Sequence, residues 1–194
     1  LKDKVTVITG AAGGIGTFLS REFLSAGAKV VLTSRDLDKL NGLAKELNSK
    51  NTLVVEMDII DPESVGAMVK KVTEHFGRID ILINNAGGGA MPKLPEEIPF
   101  EEWKRMIDVN LTGAFNCCIA VGKQMIKQAS GKIINVSSTA GTKGNPGMLH
   151  YSAAKAGLIS ITNNLAYSWA QHNICINAIA PGLISTPAMI KWGA

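Results

Sequence analysis

Cysteine, histidine and aromatic residues are all scarce in this chain of 194 residues, which has three cysteines, three histidines and an aromatic content of 5%. Cys117 and Cys118 are neighbours and Cys175 stands alone, so the sequence offers neither a disulfide framework nor the spacing of a metal site. The histidines are scattered along the chain. We therefore expect no bound metal, and a reduced chain that works in the cytoplasm.

Long apolar runs and biased segments are missing as well. No run of about 18 apolar residues and no charged-then-apolar leader is present, so we expect neither a membrane span nor a signal peptide. The formal net charge is +4, but the lysines and arginines are dispersed, which argues against nucleic-acid binding. Repeats, linkers and low-complexity tracts are absent, so residues 1–194 are predicted to form one domain.

What the chain does contain is a sixfold alternation of short apolar runs with segments of helical periodicity. Strands are predicted over residues 5–8, 29–33, 52–57, 79–83, 132–136 and 174–178. A first helix follows the first strand and stops at Gly27, and later helices are predicted over residues 37–47, 62–76, 100–127 and 151–171. The alternation predicts an α/β fold of the Rossmann type, a doubly wound parallel sheet between two helical layers, with strand order 3-2-1-4-5-6.

The first strand runs directly into a glycine-rich turn, residues 9–16 (TGAAGGIG), and then into a helix. Glycines without Cβ atoms allow a phosphate to approach the backbone, and the N–H groups and dipole of a helix N-terminus favour an anion there. A glycine-rich turn alone is weak evidence. Its place between this strand and this helix predicts a dinucleotide pyrophosphate site.

The end of the second strand indicates which dinucleotide is bound. Ser34 stands where an acidic residue would hold the adenosine ribose of NAD, and Arg35 follows it. A guanidinium suits a 2′-phosphate, whereas a carboxylate would repel one. Asp36 complicates this interpretation, but it is better explained as the cap of the next helix. The pattern favours NADP(H), with NAD(H) as the alternative.

The chemistry is predicted to centre on Ser138, Tyr151 and Lys155. Tyr151 and Lys155 are four residues apart in a predicted helix, so their side chains share one face, and Ser138 follows the fifth strand. A lysine ammonium beside a phenol stabilises the phenolate, which equips the pair for proton transfer at a substrate oxygen. Taken alone, the pair is better explained as an ordinary exposed helical pair, and the other motifs along the chain are what favour the catalytic interpretation. Asn110 is unusual inside a helix, where it either caps a kink or has a functional role.

Together these motifs resemble the single-domain short-chain dehydrogenase/reductase family over all 194 residues. The glycine turn is similar to the family's cofactor turn, and residues 84–87 (NNAG) are similar to its sheet-stabilising signature. Ser138 is preferred to Ser137 because it precedes Tyr151 by thirteen residues, the family's usual interval. Residues 181–186 resemble the segment that binds the nicotinamide carboxamide. The catalytic tetrad that the resemblance implies is Asn110, Ser138, Tyr151 and Lys155.

The resemblance also implies a cofactor site and a reaction. The residues expected to bind NADP(H) are Gly10, Gly13, Gly14, Ile15, Gly16, Ser34, Arg35, Asp58, Ile59, Asn84, Ala86, Gly87, Tyr151, Lys155, Pro181, Gly182, Ile184 and Thr186. A hydride passes between the cofactor and a small-molecule carbonyl or secondary alcohol, as in a carbonyl reductase, and Asn110 extends the proton path through a water. An enoyl-thioester reductase and a non-catalytic cofactor-sensing or scaffold protein are the alternatives.

Family members usually continue past residue 186 through a substrate lid and a helix to a seventh strand, which is missing from this sequence. We therefore expect the natural chain to continue beyond Ala194, so that the domain formed by residues 1–194 is incomplete at its C-terminal end. The visible substrate wall is expected from residues 88–91, 142–149 and 189–192, which are mostly apolar. The resemblance further implies a homodimer or homotetramer, paired through the helices predicted over residues 100–127 and 151–171.

Overall fold

The computed structural model describes residues 1–186, in which six strands form one parallel sheet. The strands are β1 (Val5–Thr9), β2 (Lys29–Ser34), β3 (Thr52–Glu56), β4 (Ile81–Asn84), β5 (Gly131–Val136) and β6 (Ile174–Ile179). Their order across the sheet is β3-β2-β1-β4-β5-β6. The predicted α/β fold and its strand order are confirmed.

Six α-helices connect the strands in the described residues: α1 (Gly14–Ser25), α2 (Leu37–Leu47), α3 (Pro62–Phe76), α4 (Phe100–Ile107), α5 (Gly113–Gln128) and α6 (Leu149–Trp169). A π-helical segment, Asp108–Thr112, joins α4 to α5 without a break in the helical path. Short 3₁₀ turns lie at Pro95–Glu97, Thr139–Gly141 and Ala170–His172.

Apolar side chains pack on both faces of the sheet, which gives the three layers of the fold. Successive residues of a strand point to opposite faces, so Val7 joins one cluster and Ile8 joins the other. The Val7 cluster packs against α3, α5 and the C-terminal half of α6, and the Ile8 cluster packs against α1 and α2. Burial on both faces explains why the strands are continuous apolar runs rather than alternating ones.

Three of the predicted elements differ from the structure by more than one residue at an end or in continuity. The fourth strand begins at Ile81 and not at Ile79, because both backbone groups of Ile79 are bonded to the Gln128 side chain: the N–H donates to Oε1 at 3.0 Å and the carbonyl accepts from Nε2 at 2.8 Å. The helix predicted over residues 100–127 is divided by the π-helical segment. The last predicted helix, residues 151–171, runs over Leu149–Trp169 and ends in a 3₁₀ turn.

Parallel strands bring their carboxyl ends to one edge of the sheet, and this edge positions the site. The glycine turn follows β1, residues 35–36 follow β2, Asp58 follows β3, and residues 85–88 follow β4. From β1 the chain runs to β2 and β3 on one side of the sheet, and later to β4, β5 and β6 on the other side. The connections therefore diverge beside β1, and a crevice opens there. At the far side of the sheet, β6 pairs only with β5 in the described residues. That the natural chain continues past Ala194 stays a prediction.

Candidate active site

The glycine turn is held in a shape that side chains would prevent. Gly10 has a φ of +64°, and a Cβ added to it would lie 2.9 Å from the Cα of Ala86. A Cβ on Gly16 would lie 2.2 Å from the carbonyl oxygen of Gly10. The turn therefore folds tightly on itself and on the residues after β4, which only glycines at these two positions allow.

The N-terminus of α1 differs from those of α2 and α3 in how its N–H groups are satisfied. Asp36 caps α2 by accepting from the Lys39 N–H at 3.0 Å, which confirms its predicted role, and Asp61 caps α3 by accepting from the Glu63 N–H at 2.9 Å. Helix α1 begins after Gly13 with no side-chain cap and no acidic residue in its first turn. The residues present thus fit the pyrophosphate of a dinucleotide, because an anion would meet the positive end of the helix dipole and no negative charge.

At the ends of β2 and β3, the predicted adenosine-side residues come together. The Ser34 hydroxyl accepts from the Asp36 N–H at 2.9 Å, and the Asp36 carboxylate also binds Lys39 Nζ at 2.5 Å. The Arg35 guanidinium lies 3.8 Å from the Asp58 carboxylate, with its side chain 69% exposed. The acid next to Arg35 is therefore occupied by its helix cap, and Arg35 remains accessible to a ligand anion.

Ile59 is a predicted cofactor residue that the structure turns toward α5. A Cβ on Gly113 would lie 2.6 Å from Ile59 Cδ1, so the side chain packs against that glycine. The Ile59 carbonyl accepts a hydrogen bond from Asn116 Nδ2 at 3.0 Å.

The residues after β4 attach the glycine turn to the centre of the sheet. Asn85 Nδ2 donates to the Thr9 carbonyl at 2.9 Å and to the Gly10 carbonyl at 3.2 Å. The Thr9 hydroxyl accepts from the N–H groups of Asn85 and Ala86 at 3.0 and 2.9 Å. The resemblance implied a sheet-stabilising signature at residues 84–87, and the contacts of Asn85 and Ala86 connect β1 to β4.

The Asn84 side chain lies in the interior and not in the crevice. Its Nδ2 donates to Asn135 Oδ1 at 2.8 Å, and Asn135 Nδ2 donates to the Thr162 hydroxyl at 2.9 Å. This buried chain of hydrogen bonds joins β4, β5 and α6 behind the site. The Asn84 side chain is therefore not available to the cofactor, and the predicted contact would have to come from its backbone.

Asn110 lies in the π-helical segment and binds the loop that follows β4. Its Oδ1 accepts from the Gly88 N–H at 3.1 Å, and its Nδ2 donates to the Gly88 carbonyl at 3.0 Å and to the Met106 carbonyl at 3.2 Å. The helix is widened at Asn110 into a π-helical turn, a feature often found at functional sites. The side-chain amide is engaged with protein groups, and the proton path through a water that the resemblance implies stays a prediction.

The two serines after β5 have different surroundings. Ser137 is buried, and its hydroxyl donates to the Lys155 carbonyl at 2.9 Å. Ser138 is half-buried, and its Oγ accepts from the Ala140 N–H at 3.2 Å, which leaves the hydroxyl proton available to a ligand. The geometry favours Ser138 as the serine that can contact a substrate.

Lys155 is buried beside Tyr151. Its Nζ donates to the Val136 carbonyl at 2.9 Å and lies 5.7 Å from the centre of the Tyr151 ring. Burial lowers the pKa of Lys155 from its ordinary value to about 8. A Cβ on Gly87 would lie 2.8 Å from Asn110 Oδ1 and 3.5 Å from Lys155 Nζ, so these two side chains converge on the same small space. Tyr151 stands in the first turn of α6 at the edge of that space.

The last described residues return to the site. The Pro181 carbonyl accepts from the Thr139 N–H at 3.0 Å, next to Ser138. A Cβ on Gly14 would lie 2.8 Å from Thr186 Cβ, so the segment also lies against the start of α1. Leu183 and Ile184 are exposed there, and Gly182 has open space beside it. Residues 189–192, predicted as part of the substrate wall, lie outside the described residues.

One group near the site was missed from the sequence. Glu102 contacts both Lys93 and His150, and His150 directly precedes Tyr151 in the chain. From the sequence, His150 was interpreted only as one of three scattered histidines. Their spacing follows no motif, because they come from a loop and two different helices. The position of His150 next to the predicted catalytic tyrosine was the single available signal.

A family model described as short chain dehydrogenase matches residues 4–194. The chain belongs to the short chain dehydrogenase family. The 3-oxoacyl-(acyl-carrier-protein) reductase FabG of Thermotoga maritima is 41% identical to it over 196 residues, which cover 98% of this chain and 78% of that enzyme. Family membership confirms the resemblance drawn from the glycine turn and the residues around Tyr151, and it makes the chain an NAD(P)-dependent oxidoreductase that acts on C=O or CH–OH groups.

Solved structures of this fold hold either dinucleotide. ElxO with NADP bound superposes with a TM-score of 0.94 at 34% identity, covering 97% of this chain and 77% of ElxO. The NAD⁺-bound xylitol dehydrogenase gives a TM-score of 0.93 at 33% identity, covering 99% and 75%. Within residues 1–186 no helix is long and apolar enough to cross a membrane, and no cluster of three metal-ligating side chains occurs.

Proposed function

We propose that this short chain dehydrogenase reduces a small carbonyl substrate with NADPH, and that Ser138, Tyr151 and Lys155 carry the chemistry. The observation that carries the proposal is the buried Lys155 ammonium 5.7 Å from the Tyr151 ring, at the carboxyl edge of the sheet. A buried cation next to a phenol favours the phenolate that remains once the proton has left. Ser138, with its free hydroxyl proton, supplies the second contact to the substrate oxygen.

The cofactor binds along the crevice. The glycine turn and the first turn of α1 hold the pyrophosphate, Arg35 holds the 2′-phosphate, Asp58 contacts the adenine, and Lys155 holds the nicotinamide ribose. Residues 181–186 contact the carboxamide. NADPH, when bound, supplies the hydride to the carbonyl carbon.

The protein residues act on the carbonyl oxygen. The Ser138 and Tyr151 hydroxyls hold this oxygen, which polarises the C=O bond. The Tyr151 O–H bond breaks as its proton moves to the substrate oxygen, and the Lys155 charge stabilises the phenolate that is left. Asn110 keeps the Gly88 loop in place beside this centre. In the reverse direction the same groups take the proton from an alcohol.

The relatives support a substrate of the 3-oxoacyl class, because several are named 3-oxoacyl-(acyl-carrier-protein) reductases. The 3-oxo group is a ketone, which suits a Ser138–Tyr151 oxygen site. Ser138, Tyr151 and Lys155 are all present, and together they act on a carbonyl oxygen. This argues mildly against the enoyl-thioester alternative, whose reaction takes place at a C=C bond. The cytoplasmic location stays a prediction.

The exposed aromatic residues on α5 and α6 support the proposed homodimer or homotetramer. Phe115 on α5 is 44% exposed and Tyr167 on α6 is 86% exposed. Large exposed apolar side chains on neighbouring helices are typical of a surface that pairs with another subunit. Light scattering on the purified protein gives the oligomer mass directly, and a monomer would contradict this part of the proposal.

The test of the function is a substrate panel with a matched active-site variant. Wild-type protein and Tyr151→Phe are incubated with NADPH or NADH and with 3-oxoacyl thioesters, ketones, aldehydes and enoyl thioesters. We expect oxidation of NADPH with a 3-oxoacyl thioester or ketone, and a rate lowered by a factor on the order of 10²–10⁴ in Tyr151→Phe. Reduction of enoyl thioesters alone favours the second enzyme class, and no turnover favours a cofactor-sensing protein.

A further inference from the structure

Lys93, Glu102 and His150 form a charged group beside the catalytic helix α6. The Lys93 ammonium donates to Glu102 Oε2, and Glu102 Oε1 lies 3.4 Å from His150 Nε2. The His150 side chain is fully buried, and the Glu102 carboxylate is 17% exposed. The proposed reaction uses none of the three residues.

The three side chains come from three separate parts of the chain. Lys93 lies in the loop after β4, whose earlier residues 88–91 are predicted to line the substrate. Glu102 belongs to α4, and His150 is in the first turn of α6, directly before Tyr151. Glu102 therefore connects the substrate loop to the helix that carries the catalytic tyrosine and lysine.

A backbone contact joins the same loop to the other predicted part of the substrate wall. The Lys93 N–H donates to the Gly147 carbonyl at 2.9 Å. Gly147 has a φ of +78°, and a Cβ there would lie 2.9 Å from Pro92 Cβ. The loop after β4 and the loop before α6 are thus packed against each other at the point where Lys93 reaches Glu102.

Energetics argue against a purely packing role for this group. A buried imidazole without a full set of partners costs free energy, and neither nitrogen of His150 has a well-aligned hydrogen bond in the structure. An apolar side chain would fill the same volume without that cost. Hydrogen bonding to Lys93, helped by its charge and by His150, outweighs burial and lowers the pKa of Glu102, so the carboxylate stays ionised and can bind both neighbours.

We propose that Lys93, Glu102 and His150 are a positioning network that holds the substrate loop against the first turn of α6 and thereby sets the affinity for the carbonyl substrate. The inference rests on the proposed function for its kinetic consequence. Its structural part, the attachment of the loop, is independent of which reaction the enzyme performs. None of the three residues is among those assigned to the reaction or to the cofactor.

The proposal predicts that loss of the network changes the substrate KM more than it changes kcat. Loss of the network loosens the loop, so the KM for the carbonyl substrate rises roughly tenfold, while kcat changes less than about threefold. The dissociation constant of NADPH, measured by fluorescence, stays unchanged because the cofactor side of the crevice is intact. A general loss of folding would change all three quantities together.

The experiment uses five single variants and one double variant of the full chain. Glu102→Gln and Lys93→Met remove one charge each at partly exposed positions, and His150→Leu removes the imidazole. His150→Gln keeps an N–H donor for Glu102 and is the rescue variant, and His75→Gln is the control at an exposed histidine far from the site. Hydrogen exchange of residues 87–94 is measured alongside the kinetics, because the Lys93 N–H reports the contact with Gly147.

The expected result is faster exchange in this loop and a raised substrate KM for Glu102→Gln, Lys93→Met and His150→Leu, with near wild-type values for His150→Gln. Lys93 and His150 both act through Glu102. The Lys93→Met/His150→Leu double variant should therefore change the exchange rate and the substrate KM no more than the stronger of the two single variants does. Unchanged exchange in Glu102→Gln, or full additivity in the double variant, overturns the proposal. Faster exchange in an enzyme that reduces no carbonyl supports the loop attachment and contradicts the proposed function instead.

Discussion

The side-chain amide of Asn110 pairs with both backbone groups of Gly88, accepting from its N–H at 3.1 Å and donating to its carbonyl at 3.0 Å. An asparagine that binds both backbone groups of one residue in this way imitates a strand partner. It holds the loop after β4 to the π-helical segment between α4 and α5. Lys155 Nζ lies at the edge of the space beside this contact, so small shifts of the loop reach the Lys155 side chain.

The first prediction follows from that space. Gly87→Ala places a methyl group 2.8 Å from Asn110 Oδ1 and 3.5 Å from Lys155 Nζ, so the loop or the two side chains must shift. We expect kcat/KM for carbonyl reduction to fall roughly tenfold to a hundredfold, because a displacement on the order of 1 Å at the reacting groups costs that much. Steady-state kinetics on the purified variant measure the change.

The neighbouring glycine provides the control for this prediction. A Cβ on Gly88 meets nothing within 4 Å, and the backbone bonds to Asn110 survive a Gly88→Ala change. Gly88→Ala should therefore remain within about twofold of the wild-type kcat/KM. Equal losses in the two variants would show that loop flexibility, and not crowding at Asn110 and Lys155, determines the effect.

The second prediction concerns pH. Burial lowers the pKa of Lys155 to about 8, so the side chain is a cation below that pH and becomes neutral above it. The cation is the form that stabilises the Tyr151 phenolate after proton transfer. Thus kcat/KM for carbonyl reduction should fall as pH rises through about 8, and a profile from pH 6 to 10 should show the inflection. A flat profile between pH 7 and 9 contradicts the role assigned to Lys155.

Much of this arrangement could be predicted from residue order alone. The alternation of strands and helices determined the strand order, and each functional residue could be placed at a strand end or on a helix face. Tyr151 and Lys155 share a face because they are four residues apart, and Asp36 was identified as a cap by its position before α2. These features depend on local sequence, which is why no tertiary information was needed.

The partners of individual side chains could not be predicted in the same way. That Asn110 binds Gly88, 22 residues away, depends on a single π-helical turn that rotates the side chain toward the loop. Nothing in the sequence places Arg35 near Asp58, or Glu102 between Lys93 and His150. These contacts are determined by how the connections after the strands pack, and no periodicity encodes that packing.

The third prediction tests the cofactor preference. Arg35→Ala should raise the KM for NADPH about tenfold to a hundredfold and leave the KM for NADH nearly unchanged, because a hydrogen bond to a charged group contributes roughly 1.5–3 kcal/mol. Arg21→Ala is the matched control, since Arg21 also pairs with an acid, Glu46, but lies on the outer side of α1. A wild-type enzyme that prefers NADH would refute the NADP(H) proposal.

The last prediction concerns stability at the edge of the sheet opposite the site. Asp80 accepts hydrogen bonds from the Val5 N–H at 3.0 Å and from Arg78 at 2.7 Å, and Lys4 lies 3.5 Å away. Burial alone would raise the pKa of Asp80, but these hydrogen bonds and charges outweigh it and hold the pKa below its ordinary value. The ionised carboxylate therefore stabilises the fold above the unfolded pKa of about 4, and this contribution is lost as pH falls through the lower pKa of the folded state.

Asp80→Asn should accordingly lower the free energy of unfolding at pH 7 by about 1–2 kcal/mol, because the Val5 N–H and two cations lose a charged partner while Arg78 and Lys4 remain half exposed to water. At pH 3 the difference between variant and wild type should narrow, since that pH lies below the unfolded pKa of about 4 and the contribution of the charge to stability is then being lost. Urea unfolding at both pH values measures the difference in the free energy of unfolding. Glu74→Gln is the control, because Glu74 forms an exposed 3.9 Å pair with Lys70. A difference that is constant from pH 7 to pH 3 would mean that Asp80 stabilises the sheet by its shape and not by its charge.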